Sequence, residues 1–161
     1  MVDERLEARV GHALRAKGWT ICTAESCTGG LITHRLTNIP GSSDYVLGGV
    51  VAYSNRAKQS LLHVRQGTLI AYGAVSEQTA SEMALGAREL FGADLAISVT
   101  GIAGPDGGSA EKPVGLTYIG LAGPDGLHTV QRHVWEGDRE GIKAASAEAA
   151  LQMVLDTLVK S

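Results

Sequence analysis

A serine set among small residues opens the chemistry of this chain, in Ala24-Glu25-Ser26-Cys27-Thr28-Gly29-Gly30. The apolar run from Trp19 to Ala24 before it reads as a buried strand, and Leu31 to Thr37 after it as a helix. Taken alone, a serine in a strand-to-helix turn is an N-cap. Here, however, the side chains around it are small. The N–H groups of Cys27, Thr28 and Gly29 can then approach a ligand closely at a helix N-terminus, where developing negative charge is favoured. An oxyanion hole requires such donors.

A serine nucleophile also needs a base. Of the five histidines, His12 and His34 fall in expected helices and His63 just after one. His128 and His133 lie five apart on an expected strand and so face opposite sides. All read as surface or packing residues. A lysine serves instead where burial lowers its pKa. Lys58, in Tyr53-Ser54-Asn55-Arg56-Ala57-Lys58, lies just past a strand end, within reach of the Ser26 turn. Spacing does not separate that reading from a solvated helix lysine. Cys27 is a rival nucleophile if the helix N-terminus lowers its pKa, although a small buried cysteine is the commoner case. Glu25 either positions the turn or is a solvated cap. Tyr53 either acts beside Lys58 or is a half-buried strand residue.

Two further segments suit an anion. Gly101-Ile102-Ala103-Gly104-Pro105-Asp106-Gly107-Gly108 follows a strand, as phosphate- or ribose-cradling loops do, yet matches neither a P-loop nor GxGxxG. Gly137-Asp138-Arg139 opens the last helix, where Arg139 and helix N–H groups would converge on a phosphate. An exposed first-turn arginine is the other reading.

The elements that must carry these residues follow from periodicity and turn signals. Helices are expected over Val2 to Lys17, Arg56 to Leu62, Gln66 to Tyr72, from an N-cap at Ser76 through Phe91, and from Asp138 to Leu158. Strands are expected over Tyr45 to Tyr53, Asp94 to Thr100, Val114 to Ala122 and Leu127 to Trp135, the last two joined at Gly123-Pro124-Asp125-Gly126. Helices alternate with strands and a hairpin comes late. This predicts an α/β fold with a mixed, partly parallel sheet and helices on both faces. Sites in such sheets lie beyond the carboxyl ends of strands, where the Ser26 and Gly101 loops both fall.

Composition narrows the classes. At 161 residues the chain is close to one domain of roughly 150 residues, and residues 1–161 are read as one. Being 44% hydrophobic and 19% charged, it suits a globular core rather than disorder. The net charge of −3 comes without a Lys/Arg run, so no nucleic-acid partner is expected. No apolar stretch reaches the ~18 residues of a membrane span, and the charged start is no signal peptide. Two cysteines, Cys22 and Cys27, make neither a disulfide framework nor a zinc site, so no metal is expected and a cytoplasmic setting is.

Six ordered blocks carry a resemblance: the Ser26 turn, Tyr53-Ser54-Asn55 with Lys58, Gly73-Ala74-Val75-Ser76, the Gly101–Gly108 loop, Lys112-Pro113-Val114-Gly115 and Gly137-Asp138-Arg139. Together they resemble the CinA C-terminal-domain family, the nicotinamide-nucleotide amidases, over almost the whole chain. The resemblance implies a three-layer α/β/α sandwich. It implies hydrolysis of the carboxamide of nicotinamide mononucleotide, a small pyridine nucleotide, without a cofactor. It implies Ser26 as nucleophile, Lys58 as base and Tyr53 beside them. Substrate binding would fall to Cys27, Thr28, Gly29 and Gly30 at the turn, and to Thr100, Gly101, Ala103, Gly104 and Arg139. A homo-oligomer is expected. The metal-dependent pyrophosphatase of the additional N-terminal domain in many family members is not carried over.

Overall fold

A computed structural model describes residues 2–160. Its elements run α1 (Leu6–Lys17), β1 (Ile21–Glu25), α2 (Leu31–Thr37), a short 3-10 turn (Ser42–Asp44), β2 (Val46–Val51), α3 (Asn55–Leu62), α4 (Gln66–Tyr72), α5 (Glu77–Phe91), β3 (Leu95–Gly101), β4 (Leu116–Ala122), β5 (His128–Val134) and α6 (Arg139–Lys160). The five strands form one sheet in the order β2-β1-β3-β4-β5. β2, β1 and β3 are parallel, whereas β4 and β5 join antiparallel.

Alternation along the buried strands sorts side chains between two helical layers. Ile21, Leu95, Ile97, Val99, Ile119 and Leu121 face α1, α2 and α6, where Val10, Leu14, Leu36, Leu151 and Val154 complete one core. Cys22, Ala24 and Ala96 face the other way, toward Leu62 of α3 and Met83 and Ala87 of α5. The residues under α5 are small for a reason. The Ser98 hydroxyl donates to the Ala80 carbonyl at 2.6 Å, and a Cβ on Gly120 would lie 2.5 Å from that same oxygen. The helix therefore rests almost directly on the sheet. The result is the three-layer α/β/α sandwich.

Several boundaries differ from expectation. α1 starts at Leu6 rather than Val2, because Asp3 turns its carboxylate back onto the Arg5 backbone N–H (3.1 Å) and guanidinium. β1 starts at Ile21 rather than Trp19, since the Thr20 N–H is taken by the Asp94 side chain at 2.9 Å. β2 is shorter at both ends than Tyr45 to Tyr53. β4 starts at Leu116 rather than Val114. α6 runs to Lys160.

Candidate active site

The site begins with Glu25, the last residue of β1. It is buried, and its carboxylate folds back over the start of α2. One oxygen accepts from the Thr28 hydroxyl (2.7 Å) and Ile32 N–H (2.9 Å), the other from Thr33 N–H (3.0 Å) and its hydroxyl (2.8 Å). Four donors satisfy a buried charge, so Glu25 is a clamp on the turn and not a solvated cap. Ser26 N–H continues the sheet by donating to Val99 O at 2.9 Å, and Gly29 N–H closes the turn onto Ser26 O at 3.0 Å. Gly29 and Gly30 then take φ of +62° and +103°, which side-chain-bearing residues rarely adopt.

We predict that Glu25→Gln loosens this turn, because an amide cannot accept four hydrogen bonds. Leaving a buried donor unpaired costs roughly 1–3 kcal/mol. Denaturant unfolding should show a loss of that size, and kcat should fall more than KM changes. Wild-type stability and kcat in Glu25→Gln would show that the clamp is dispensable.

Lys58 enters from the opposite side of β1. The Ser54 hydroxyl caps α3 by accepting from Ala57 N–H at 3.0 Å, starting the helix at Asn55, and this puts Lys58 in its second turn. The side chain runs inward and is only 2% exposed. Its Nζ lies 3.0 Å from Ala52 O, 3.2 Å from Tyr53 O and 3.1 Å from Ser26 Oγ. Burial pushes the Lys58 pKa down. The contacts fix what the neutral amine can do. Carbonyls only accept, so Ala52 and Tyr53 take its two hydrogens. The remaining lone pair is then directed at the Ser26 hydroxyl. The ammonium form would donate there instead.

Ser26 and Lys58 lie in a cavity of about 200 Å³ lined also by Cys27, Tyr53, Ala74, Val75, Thr100, Gly101, Ala103 and Arg139. Arg139 donates to Gly104 O (2.8 Å) and to the Tyr53 hydroxyl (3.0 Å), bridging two walls. Ala74 and Val75 are additions to the sequence-derived set. They are held over β3 by Thr100, whose hydroxyl donates to Ala74 O at 2.8 Å, and by Ser76 and Thr79, which both donate to Gly73 O. The block Gly73–Ser76 signals a constrained turn, but small apolar residues carry no chemical signature.

Other expectations are revised. Thr28, Gly29, Gly30 and Gly104 do not line the cavity. Thr28 serves the Glu25 clamp, the two glycines shape the turn, and Gly104 offers its carbonyl to Arg139. Gly29 N–H is spent on Ser26 O. Among the described residues, the N–H groups of Cys27, Thr28 and Gly30 donate to no other residue, which leaves them as the free donors of the turn. Tyr53 is 62% exposed, and its hydroxyl meets Arg139. Only the Tyr53 carbonyl reaches Lys58. At α6, Asp138 takes the helix-end N–H itself, accepting from Gly141 N–H at 2.8 Å. One of the helix-end N–H groups beside Arg139 is therefore already engaged. Burial pushes the Cys27 thiol up to about 11, the opposite of the activated thiolate considered for it.

The CinA C-terminal domain family matches residues 3–158. The chain belongs to this family. Nicotinamide-nucleotide amidohydrolase PncC of Enterobacter agglomerans is 52% identical, with 97% of this chain and 95% of that protein covered. A CinA-like protein of Chloroherpeton thalassium is also 52% identical, but this chain spans only 38% of its length. The solved structure of the competence/damage inducible protein CihA from Agrobacterium tumefaciens superposes with a TM-score of 0.92 at 45% identity, covering 96% of this chain and 94% of that one. In this CinA C-terminal domain the Ser26 and Gly101 loops lie at the carboxyl ends of the parallel strands β1 and β3, where α/β sheets hold ligands. Among the described residues no helix is long and apolar enough to cross a membrane, and no cluster of three or more His, Cys, Asp or Glu forms a metal site.

Proposed function

We propose that this CinA C-terminal domain hydrolyses the carboxamide of nicotinamide mononucleotide to nicotinic acid mononucleotide and ammonia, through an acyl-enzyme on Ser26. The observation that carries it is the buried Lys58 amine, 3.1 Å from Ser26 Oγ and committed by two carbonyls to pointing its lone pair there. Lys58 takes the Ser26 proton as Oγ attacks the carboxamide carbon. The tetrahedral oxyanion is met by the N–H groups of Cys27 and Thr28. Collapse breaks the C–N bond, and the Lys58 ammonium returns its proton to the departing nitrogen, releasing ammonia. Water then attacks the ester, Lys58 accepts its proton, and Ser26 leaves with that proton restored. The identity to a relative named as an amidohydrolase supports the reaction class. A 200 Å³ cavity with a cation at its rim suits a small planar amide bearing an anionic tail.

Ammonia release from nicotinamide mononucleotide and from nicotinamide riboside tests this reading, together with Arg139→Ala. A hydrogen bond to a charged group contributes roughly 1.5–3 kcal/mol, about 10- to 150-fold. Arg139→Ala should lower the ratio of kcat/KM for mononucleotide over riboside by about that factor. The ratio cancels damage from losing the bonds to Gly104 and Tyr53, which touches both substrates. No ammonia from either substrate would refute the amidase reading. An unchanged ratio would remove Arg139 from the phosphate.

A further inference from the structure

Lys143 is a cation beside the Ser26 cavity, just outside its lining. It follows Arg139 by four residues on α6, so the two side chains share a face one turn apart. It is half-buried. Its Nζ comes within 3.7 Å of the point where a Gly29 side chain would begin, and its charge acts on the Cys27 thiol. Among the described residues it makes no ion pair or hydrogen bond. Glu140, three residues before it on α6, forms no ion pair with it among the described residues, and Glu148 is engaged by Arg35 at 2.9 Å. Lys143 thus leans over the Ser26–Gly29 turn from the helix that also carries Arg139.

The chemistry of the tail asks for such a group. A phosphomonoester carries about −1.5 to −2 charge near pH 7. Arg139 already gives one N–H to Gly104 O and another to the Tyr53 hydroxyl, so it offers an incomplete fork. At the start of α6 the Asp138 carboxylate already accepts the Gly141 N–H. We propose that Lys143 is the second phosphate-binding residue, holding the substrate's phosphomonoester between its ammonium at the Ser26–Gly29 turn and the Arg139 guanidinium one turn earlier on α6. Gly29 matters here as well: with no side chain, it leaves the approach to Lys143 open. This assignment rests on the mononucleotide reading above and adds to it the residue that sets preference for a phosphorylated substrate.

Calorimetric binding of nicotinic acid mononucleotide and of nicotinic acid riboside separates the two readings, because it needs no turnover. Lys143→Met should weaken mononucleotide binding about 10- to 150-fold and riboside binding far less. Lys143→Arg, which keeps the charge, should restore mononucleotide affinity to within about threefold. Unfolding curves matching wild type establish that the half-exposed substitution leaves the fold in place. Equal weakening of both ligands by Lys143→Met, or no weakening of the mononucleotide, overturns the assignment while leaving the amidase reading standing. A wild-type protein that binds neither ligand and releases no ammonia overturns both.

Discussion

Ser26→Ala is expected to fold normally and to lose at least about 10³-fold in kcat for ammonia release. Both halves of that result follow from the way the turn is built. What holds Ser26 in place is its own backbone, through Val99 O and Gly29 N–H, together with the Glu25 clamp one residue before it. Among the described residues the hydroxyl itself bonds only Lys58. Its removal therefore leaves the turn, the strand and the helix with every other bond intact, and Lys58 still has two carbonyls. Catalysis has no such redundancy. Cys27 is adjacent, but its thiol is pushed up to about 11 and is protonated at neutral pH. The free N–H groups of Cys27 and Thr28 would stabilise an oxyanion formed by direct water attack, which accounts for a small residue of activity rather than a substantial one. Steady-state ammonia assays with denaturant unfolding check the pair of statements. A folded Ser26→Ala protein with a tenth of wild-type kcat would eliminate the serine as nucleophile.

How far the site could be read from sequence depends on which interactions are local. The strand–turn–helix around Ser26 is legible because Gly29-Gly30 and the period-two run before them are short-range signals. The caps at Ser54 and Ser76 are of the same kind, each closing onto a residue three positions on. The 32-residue separation of Lys58 from Ser26 is not legible by spacing, because only the parallel pairing of β1 with β2 brings α3 over the turn. Parallel neighbours are joined through long crossovers, and their register is set by burial on both faces rather than by any local motif. The family blocks supplied what periodicity lacked there. Glu25 shows the opposite difficulty. Its position was evident, yet whether a strand-end carboxylate is solvated or clamped depends on donors at Thr28, Ile32 and Thr33, which come together only when α2 folds back. Asp138 is a case of its own: a helix N-terminus invites an anion through its free N–H groups, and the residue before Arg139 takes one of them, that of Gly141. Lys143 carries no local signal for a related reason, since a lysine inside a long helix looks solvated until the neighbouring turn is in place.

Lys58→Arg is expected to be inactive, with a loss of at least the same order as Ser26→Ala. Guanidinium remains protonated at any workable pH, so it keeps the charge of a lysine and cannot take a proton from Ser26. If the bulkier group disturbs its buried slot, Lys58→Ala provides the second arm. Its activity should partly return with small primary amines, in proportion to their free-base concentration, because a diffusible base can occupy the vacated channel. The pH profile provides the sign. Burial lowers the native pKa of Lys58, and the unfolded chain keeps the ordinary value of about 10.4. Wild-type kcat/KM should therefore rise with pH through a midpoint below 10.4, as the amine loses its proton. Stability should move the same way. Between the native pKa and 10.4 the unfolded state binds more protons than the native state, so unfolding free energy increases with pH in that window and the contribution of Lys58 is lost as pH falls. Lys58→Met has no such proton to bind. The difference between its unfolding free energy and that of wild type should narrow or reverse as pH rises through the same range in which activity appears. Coincidence of the two transitions would tie the catalytic base to the buried amine. Substantial turnover by Lys58→Arg, or a wild-type profile flat up to pH 10, would reduce Lys58 to an electrostatic support for the Ser26 turn.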